Sequence, residues 1–127
     1  MGDYRKLKVW DRTHALALAV YRVSGKFPAA ERYGLTAQVR RSAVSVNSNI
    51  VEGATRQADG DMLRFLQIAR ASLAELQYQL LLSRDLEFLV SERYGELALE
   101  IDEISRMLIG LMKHLKKVKS KREAART

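Results

Sequence analysis

Residues 35–53, LTAQVRRSAVSVNSNIVEG, decide how this chain is read. Leu35, Val39, Ala43, Val46 and Ile50 recur at intervals of four, four, three and four, one stripe of a 3.6-residue period. The stripe says helix, but the composition around it does not. Arg40, Arg41, Ser42, Ser45, Asn47, Ser48, Asn49 and Glu52 surround it. Ser and Asn compete with a helical backbone for hydrogen bonds, so an isolated helix disfavours them. Tight packing on a neighbouring helix, with a polar network between the two, is what would hold them.

Working outward, three more helices are expected. The first covers about 9–24, with Leu16, Val20 and Val23 on one face and Trp10, Ala17 and Tyr21 on another. Gly25 stands at its C-terminus, and Pro28 forces Phe27 out of the helical region. The second covers about 34–57 and is broken by GATRQADGD, with Gly53 and Gly60 as weak points. The third, about 61–86, has the seam Met62, Leu66, Ala69, Leu73, Leu76 and Leu80, with Asp59 or Asp61 as its cap. The fourth, about 92–118, follows Ser91 and repeats Leu97, Ile101, Ile104, Leu108, Leu111, Leu115 and Val118 at alternating fours and threes. After Val118 the seam stops, so 119–127 is expected to be a disordered basic tail on a 1–118 bundle.

Four helices, short connections and no convincing strand pattern predict an all-α, antiparallel up-down-up-down four-helix bundle. Tyr21, Val44, Val51, Tyr78, Leu81 and Leu82 fall off the main seams, a surplus that points to an oligomer.

Composition narrows the function classes. The chain has 127 residues, no cysteine, and a net charge of +7. A disulfide framework and a thiolate metal site are excluded. The charged start MGDYRKLKVW lacks the apolar run of a secretory signal, and no stretch has the apolar length of a membrane span. A cytoplasmic setting with no membrane contact is expected. The charge is uneven: +4 over 1–30, −3 over 31–109 and +6 over 110–127. Basic ends on an acidic body suit a polyanion, nucleic acid first.

Catalytic constellations are not found. A di-metal carboxylate bundle needs Glu on two helices and Glu-x-x-His on two others. The nearest approach is Asp11-x-x-His14, once, and His114 has Leu111 three residues before it. No nucleophile elbow or phosphate-binding glycine pattern occurs. Gly110 lies inside the fourth helix at a cost of about 1 kcal/mol against Ala, which calls for a closely packed neighbour. Neither enzyme activity, metal nor cofactor is expected.

Two clusters stand out. Arg41, Ser45, Ser48, Asn49 and Glu52 share one side of the second helix, and Ser72, Glu75 and Gln79 one side of the third. Facing each other, they would pair Arg41 with Glu75 and satisfy Ser72 through Asn49 or Ser48. The structural reading is fold or subunit specificity; the alternative is a ligand or phosphate site around Arg40 and Arg41. The second cluster is Lys113, Lys116, Lys117 and Lys121, joined by Lys119, Arg122 and the N-terminal Arg5, Lys6 and Lys8. Lysine predominates and no adjacent aromatics offer base stacking, so contact with the phosphate backbone of RNA or DNA is expected. The competing class is a protein-interaction scaffold whose terminal charge serves solubility.

YRVSGKFPAAERYGLTAQVRRSAVSVNSNIVEG, followed by RFLQIARASLAELQYQLLLSRDLEFL, resembles the four-helix-bundle family of 23S ribosomal RNA intervening-sequence proteins. That family has relatives accompanying the reverse transcriptases of diversity-generating retroelements. The resemblance spans about 7–110 and rests on Phe27-Pro28, Glu31, Gly34-Leu35, Gln38, Arg40-Arg41, Asn49, Glu52-Gly53, Ser72 and Glu75. Ala71 departs from the family's usual Gly, a change that widens a local helix approach or shifts an interface. The resemblance implies a ring, usually a pentamer, with no enzymatic activity and no cofactor. For the retroelement relatives it implies nucleic-acid binding and a protein partner.

Overall fold

The computed structural model describes residues 3–126; the side chain of Lys6 lies outside the described residues. The described residues form four α-helices: α1 Lys8–Ser24, α2 Leu35–Thr55, α3 Asp59–Asp85 and α4 Ser91–Arg126. Short 3₁₀ turns at Tyr4–Lys6 and Ala29–Glu31 precede α1 and α2. Each helix packs on its neighbours in sequence, and α4 closes on α1. Arg40 near the start of α2 bonds Ser24 at the end of α1, while Gly53 near the end of α2 abuts Met62 at the start of α3. Arg12 in early α1 reaches Glu103 in α4. The result is the antiparallel four-helix bundle that the periodicities predict. It places the start of α1, the end of α2, the start of α3 and the end of α4 together.

The predicted seams form the core. Leu35, Val39, Ala43, Val46 and Ile50 of α2 are buried, as are Met62, Leu66, Ala69, Leu73, Leu76 and Leu80 of α3. The α4 seam departs at two positions: Leu111 and Val118 are only half-buried, and Met112 is buried beside Leu111. A straight helix drifts by about 20° per heptad against a strict 3.5-residue repeat. From Leu97 the drift is about 40° at Leu111 and about 60° at Val118, which turns both toward the edge of the core.

The polar residues of α2 are held as their composition requires. Ser45 and Ser72 share a hydrogen bond of 2.8 Å across α2 and α3. The Asn49 amide donates to the Ser45 carbonyl (2.8 Å) and to its hydroxyl (3.2 Å). The Asn47 amide lies 3.1 Å from the Thr13 hydroxyl on α1. Gly53 is inside α2 and buried, and a Cβ there would stand 2.9 Å from both Met62 Sδ and Phe65 Cβ. It permits the close approach of α2 to α3 and is not a break in the helix.

Helix ends correct several expectations. Asp59 and Asp61 lie in the first turn of α3, but Ala58 is the cap residue and no side chain caps it. Their contribution is charge at the positive end of the helix. The start of α2 is capped from outside: Glu31 accepts the Leu35 backbone N–H at 3.1 Å. At the end of α3, Phe88 N–H bonds Ser83 O (2.8 Å) and Glu87 N–H bonds Arg84 O (2.9 Å). This closing motif puts Glu87 at φ 67°, a position that favours glycine. Finally, α4 does not stop at Val118. It continues helically to Arg126, so the expected disordered tail is helix over its described length. Gly110 has open space around it rather than a packed neighbour within the chain.

Candidate nucleic-acid interface

Topology decides what the two basic segments can do. The 3₁₀ turn Tyr4–Lys6 packs on α1 and α2 at the end of the bundle where α4 terminates. The N-terminal and C-terminal cations therefore share one end of the molecule, although they lie more than a hundred residues apart in the sequence.

They are not equivalent there. Arg5 is bonded to Asp3 through Nε at 3.1 Å, and Lys8 is exposed. Lys6, named with them on sequence, lies outside the described side chains. Arg122 pairs with Asp59 at the start of α3, and the Lys119 ammonium lies over Gly60. The Arg122–Asp59 ion pair ties the last turns of α4 to α3 beyond the apolar seam. Lys113, Lys116, Lys117 and Lys121 are exposed and make no ion pair among the described residues. Of the nearby acids, Glu52 pairs with Arg56 (2.9 Å) and Asp61 with Arg64 (3.9 Å), while the exposed Glu123 is the one acid on these last turns of α4. With the exposed Lys8 and Lys119, which are also in no ion pair among the described residues, these four lysines form the unneutralised part of the cluster.

The second cluster divides. Ser45, Asn49 and Ser72 come together, with Ser45 in the bridging role the sequence reading assigned to Asn49 or Ser48. The expected Arg41–Glu75 pair does not form. Both side chains are exposed; Arg41 reaches only Gln38, at 3.4 Å, and Glu52 turns to Arg56. At the surface, water solvates both charges, and an ion pair gains too little to fix two long side chains. Arg40 is structural: it donates to Ser24 Oγ (2.8 Å) and to the Tyr21 carbonyl (3.2 Å), and covers the Tyr21 ring at 4.6 Å. It adds a donor to a carbonyl in the last turn of α1 that already accepts the Gly25 backbone N–H at 3.1 Å.

Sequence reasoning missed three features. Arg12 bonds Glu100 with Nε (2.7 Å) and Nη2 (2.9 Å) and also pairs with Glu103, clamping α1 to α4. This hydrogen bonding holds the Glu100 carboxyl below its ordinary pKa, against an opposing effect of burial. Glu100 and Glu103 flank the α4 seam, a signal for a cross-helix cation, but nothing in the chain names Arg12. The Glu31 cap was another, visible only as a Glu four residues before a helix start. The third is an aromatic ladder: Tyr4 packs on Trp10 (5.3 Å), and Trp10 stacks on the exposed His14 ring at 5.1 Å and 4°. Aromatics thus adjoin the N-terminal cations, whereas the C-terminal lysines have none.

A search of curated proteins finds no match. Among solved structures, the chain is similar to a protein of unknown function from the S23 ribosomal protein family of Bacteroides thetaiotaomicron VPI-5482. The two share 26% identity and a TM-score of 0.74, over 83% of this chain and 98% of that one. No described helix is long and apolar enough to cross a membrane. The family model of the 23S rRNA-intervening sequence protein matches residues 5–110, the span that carries the Glu31 cap, the Arg40 contact, the Ser45–Ser72 bridge and the Gly53 approach. This chain belongs to the 23S rRNA-intervening sequence protein family.

Proposed function

We propose that this protein is a non-enzymatic, cytoplasmic homo-oligomer that binds RNA or DNA through the phosphate backbone, as an accessory in a ribonucleoprotein or beside a reverse transcriptase. One observation carries the reading: the fold gathers both basic segments at one end, and Lys113, Lys116, Lys117 and Lys121 stand there unpaired among the described residues. Lysines without stacking aromatics contact phosphates and release counterions, which makes binding salt-dependent and largely indifferent to sequence. The family's description as a 23S rRNA-intervening sequence protein makes a structured RNA the first ligand to try.

The test is fluorescence anisotropy with a labelled structured RNA and a labelled DNA duplex across a salt series. Removing 113–127 would also remove the buried Leu115, so charge substitution is the cleaner perturbation. Lys113→Gln, Lys116→Gln, Lys117→Gln and Lys121→Gln together are expected to flatten the slope of log K against log salt by about three to four. Absence of binding at every salt concentration, or an unchanged slope, refutes the reading.

A scaffold role is the second reading. It is favoured by an apolar groove of about 410 Å³ between α1 and α2, lined by Ala17, Leu18, Tyr21 and Val44. Leu18, Tyr21 and Val44 are each more than 40% exposed, an area suited to a subunit contact. Val44→Glu is expected to lower the mass measured by light scattering if copies meet on this face; an unchanged mass removes the face from the assembly.

A further inference from the structure

The groove between α3 and α4 begins where the exposed lysines begin. Gln67, Arg70, Ala71 and Ala74 of α3 and Met112 of α4 line a depression of about 240 Å³. Its floor is low because two of the α3 residues are alanines, and its cation is Arg70. Arg70 is exposed and in no ion pair among the described residues. Lys113 follows Met112 directly, and Lys116 lies one turn further on the same side of α4. A cation from α3 thus lines this shallow trough, and two from α4 follow Met112 at its rim, next to it in sequence and one turn further on.

On the far side the trough meets a limit. Arg70, Ala74, Gln77, Ile101, Asp102 and Ser105 line the next depression, where Asp102 is held by Arg106 at 3.0 Å. Those two charges cancel locally, so no unpaired cation extends this path beyond Arg70. In the other direction, toward the end of α4, Lys117 and Lys121 continue the positive potential.

We infer that Arg70 is a phosphate-binding residue, and that a nucleic-acid backbone lies along α4 from Lys121 to Lys113 and ends in the α3–α4 trough against the Arg70 guanidinium. The trough admits a phosphate to a planar donor fork that can bond two of its oxygens, which the lysines cannot do. Arg70 fixes where the backbone stops, and the lysines supply the longer-range attraction. This inference rests on the nucleic-acid reading above.

The experiment uses the full chain, a labelled RNA hairpin and a salt series, and compares wild type with Arg70→Gln and Arg22→Gln. Arg22 is exposed in the last turn of α1, at the opposite end of the bundle, and its substitution removes the same charge. Light scattering and thermal melting confirm assembly and folding for each variant. Arg70→Gln is expected to flatten the salt slope by about 0.7–0.9 and to weaken binding about fivefold near 0.15 M salt, with Arg22→Gln close to wild type. Tight wild-type binding with Arg70→Gln indistinguishable from Arg22→Gln overturns the Arg70 assignment alone. No binding by wild type overturns the nucleic-acid reading and this inference with it.

Discussion

Replacing Gly53 by alanine is expected to destabilise the bundle, and the same replacement at Gly110 to stabilise it. Both glycines lie inside helices, so each change gains about 0.5–1 kcal/mol of helix propensity. The surroundings set the sign. At Gly110 nothing stands within 4 Å of a new Cβ, so the propensity gain survives. At Gly53 the new methyl would meet Met62 Sδ and Phe65 Cβ at 2.9 Å each. Carbon contacts are optimal at about 3.5–4.0 Å. The Met62 sulfur can swing aside, but Phe65 Cβ is fixed to the α3 backbone, so α2 and α3 must separate. Overpacking of this kind costs about 1–3 kcal/mol, leaving a net loss of about 0.5–2 kcal/mol after the propensity gain. The separation would also stretch the Ser45–Ser72 bond, now 2.8 Å. Thermal melts followed by circular dichroism, at one protein concentration and with the mass checked, should show Gly53→Ala several degrees below wild type and Gly110→Ala a few degrees above. Equal stabilisation by both changes would refute the account of Gly53 as a contact residue.

Other perturbations follow the same logic. Glu100 has its pKa lowered in the folded state, so the unfolded chain takes up its proton first as pH falls. Its contribution is complete above the ordinary Glu value of about 4.3 and is lost as pH falls through the lower folded value. Glu100→Gln should thus lower the melting temperature at pH 7 and narrow its difference from wild type toward pH 3; a constant difference would exclude the clamp. Glu31→Ala removes the α2 cap and should cost about 0.5–2 kcal/mol in urea unfolding, with no loss if the cap is incidental. Glu87→Gly places glycine at φ 67° and should add up to about 1 kcal/mol; a destabilised variant would mean that the left-handed position is not strained. Leu73→Ala, at a side chain 1% exposed between packed helices, should cost about 2–5 kcal/mol by the same assay.

Much of this architecture was legible in the order of residues, because helical period and burial are one-dimensional signals. The stripes of α2 and α3 are buried as spaced, and the awkward Ser and Asn residues of α2 find partners on α1 and α3. The failures share a cause. Arg41 and Glu75 were paired on helical register alone, but register does not say how far a side chain stands from the helix contact, and both lie in water. Gly53 read as a break because composition cannot show a second helix arriving against it. The last turns of α4 read as disordered because the ion pair that ties them down, Arg122 on Asp59, reaches a distant part of the chain.

The candidate interface shows the same division. Sequence determined that both terminal segments are basic and rich in lysine, since charge is a property of residues. Only the tertiary structure decided that they lie toward the same end of the bundle, that Arg122 is engaged while Lys113, Lys116, Lys117 and Lys121 are not, and that Arg70 lines a trough beside the exposed lysines. Electrostatic neighbourhood depends on distance in space, and an antiparallel bundle brings to a few ångströms groups that the chain holds tens of residues apart.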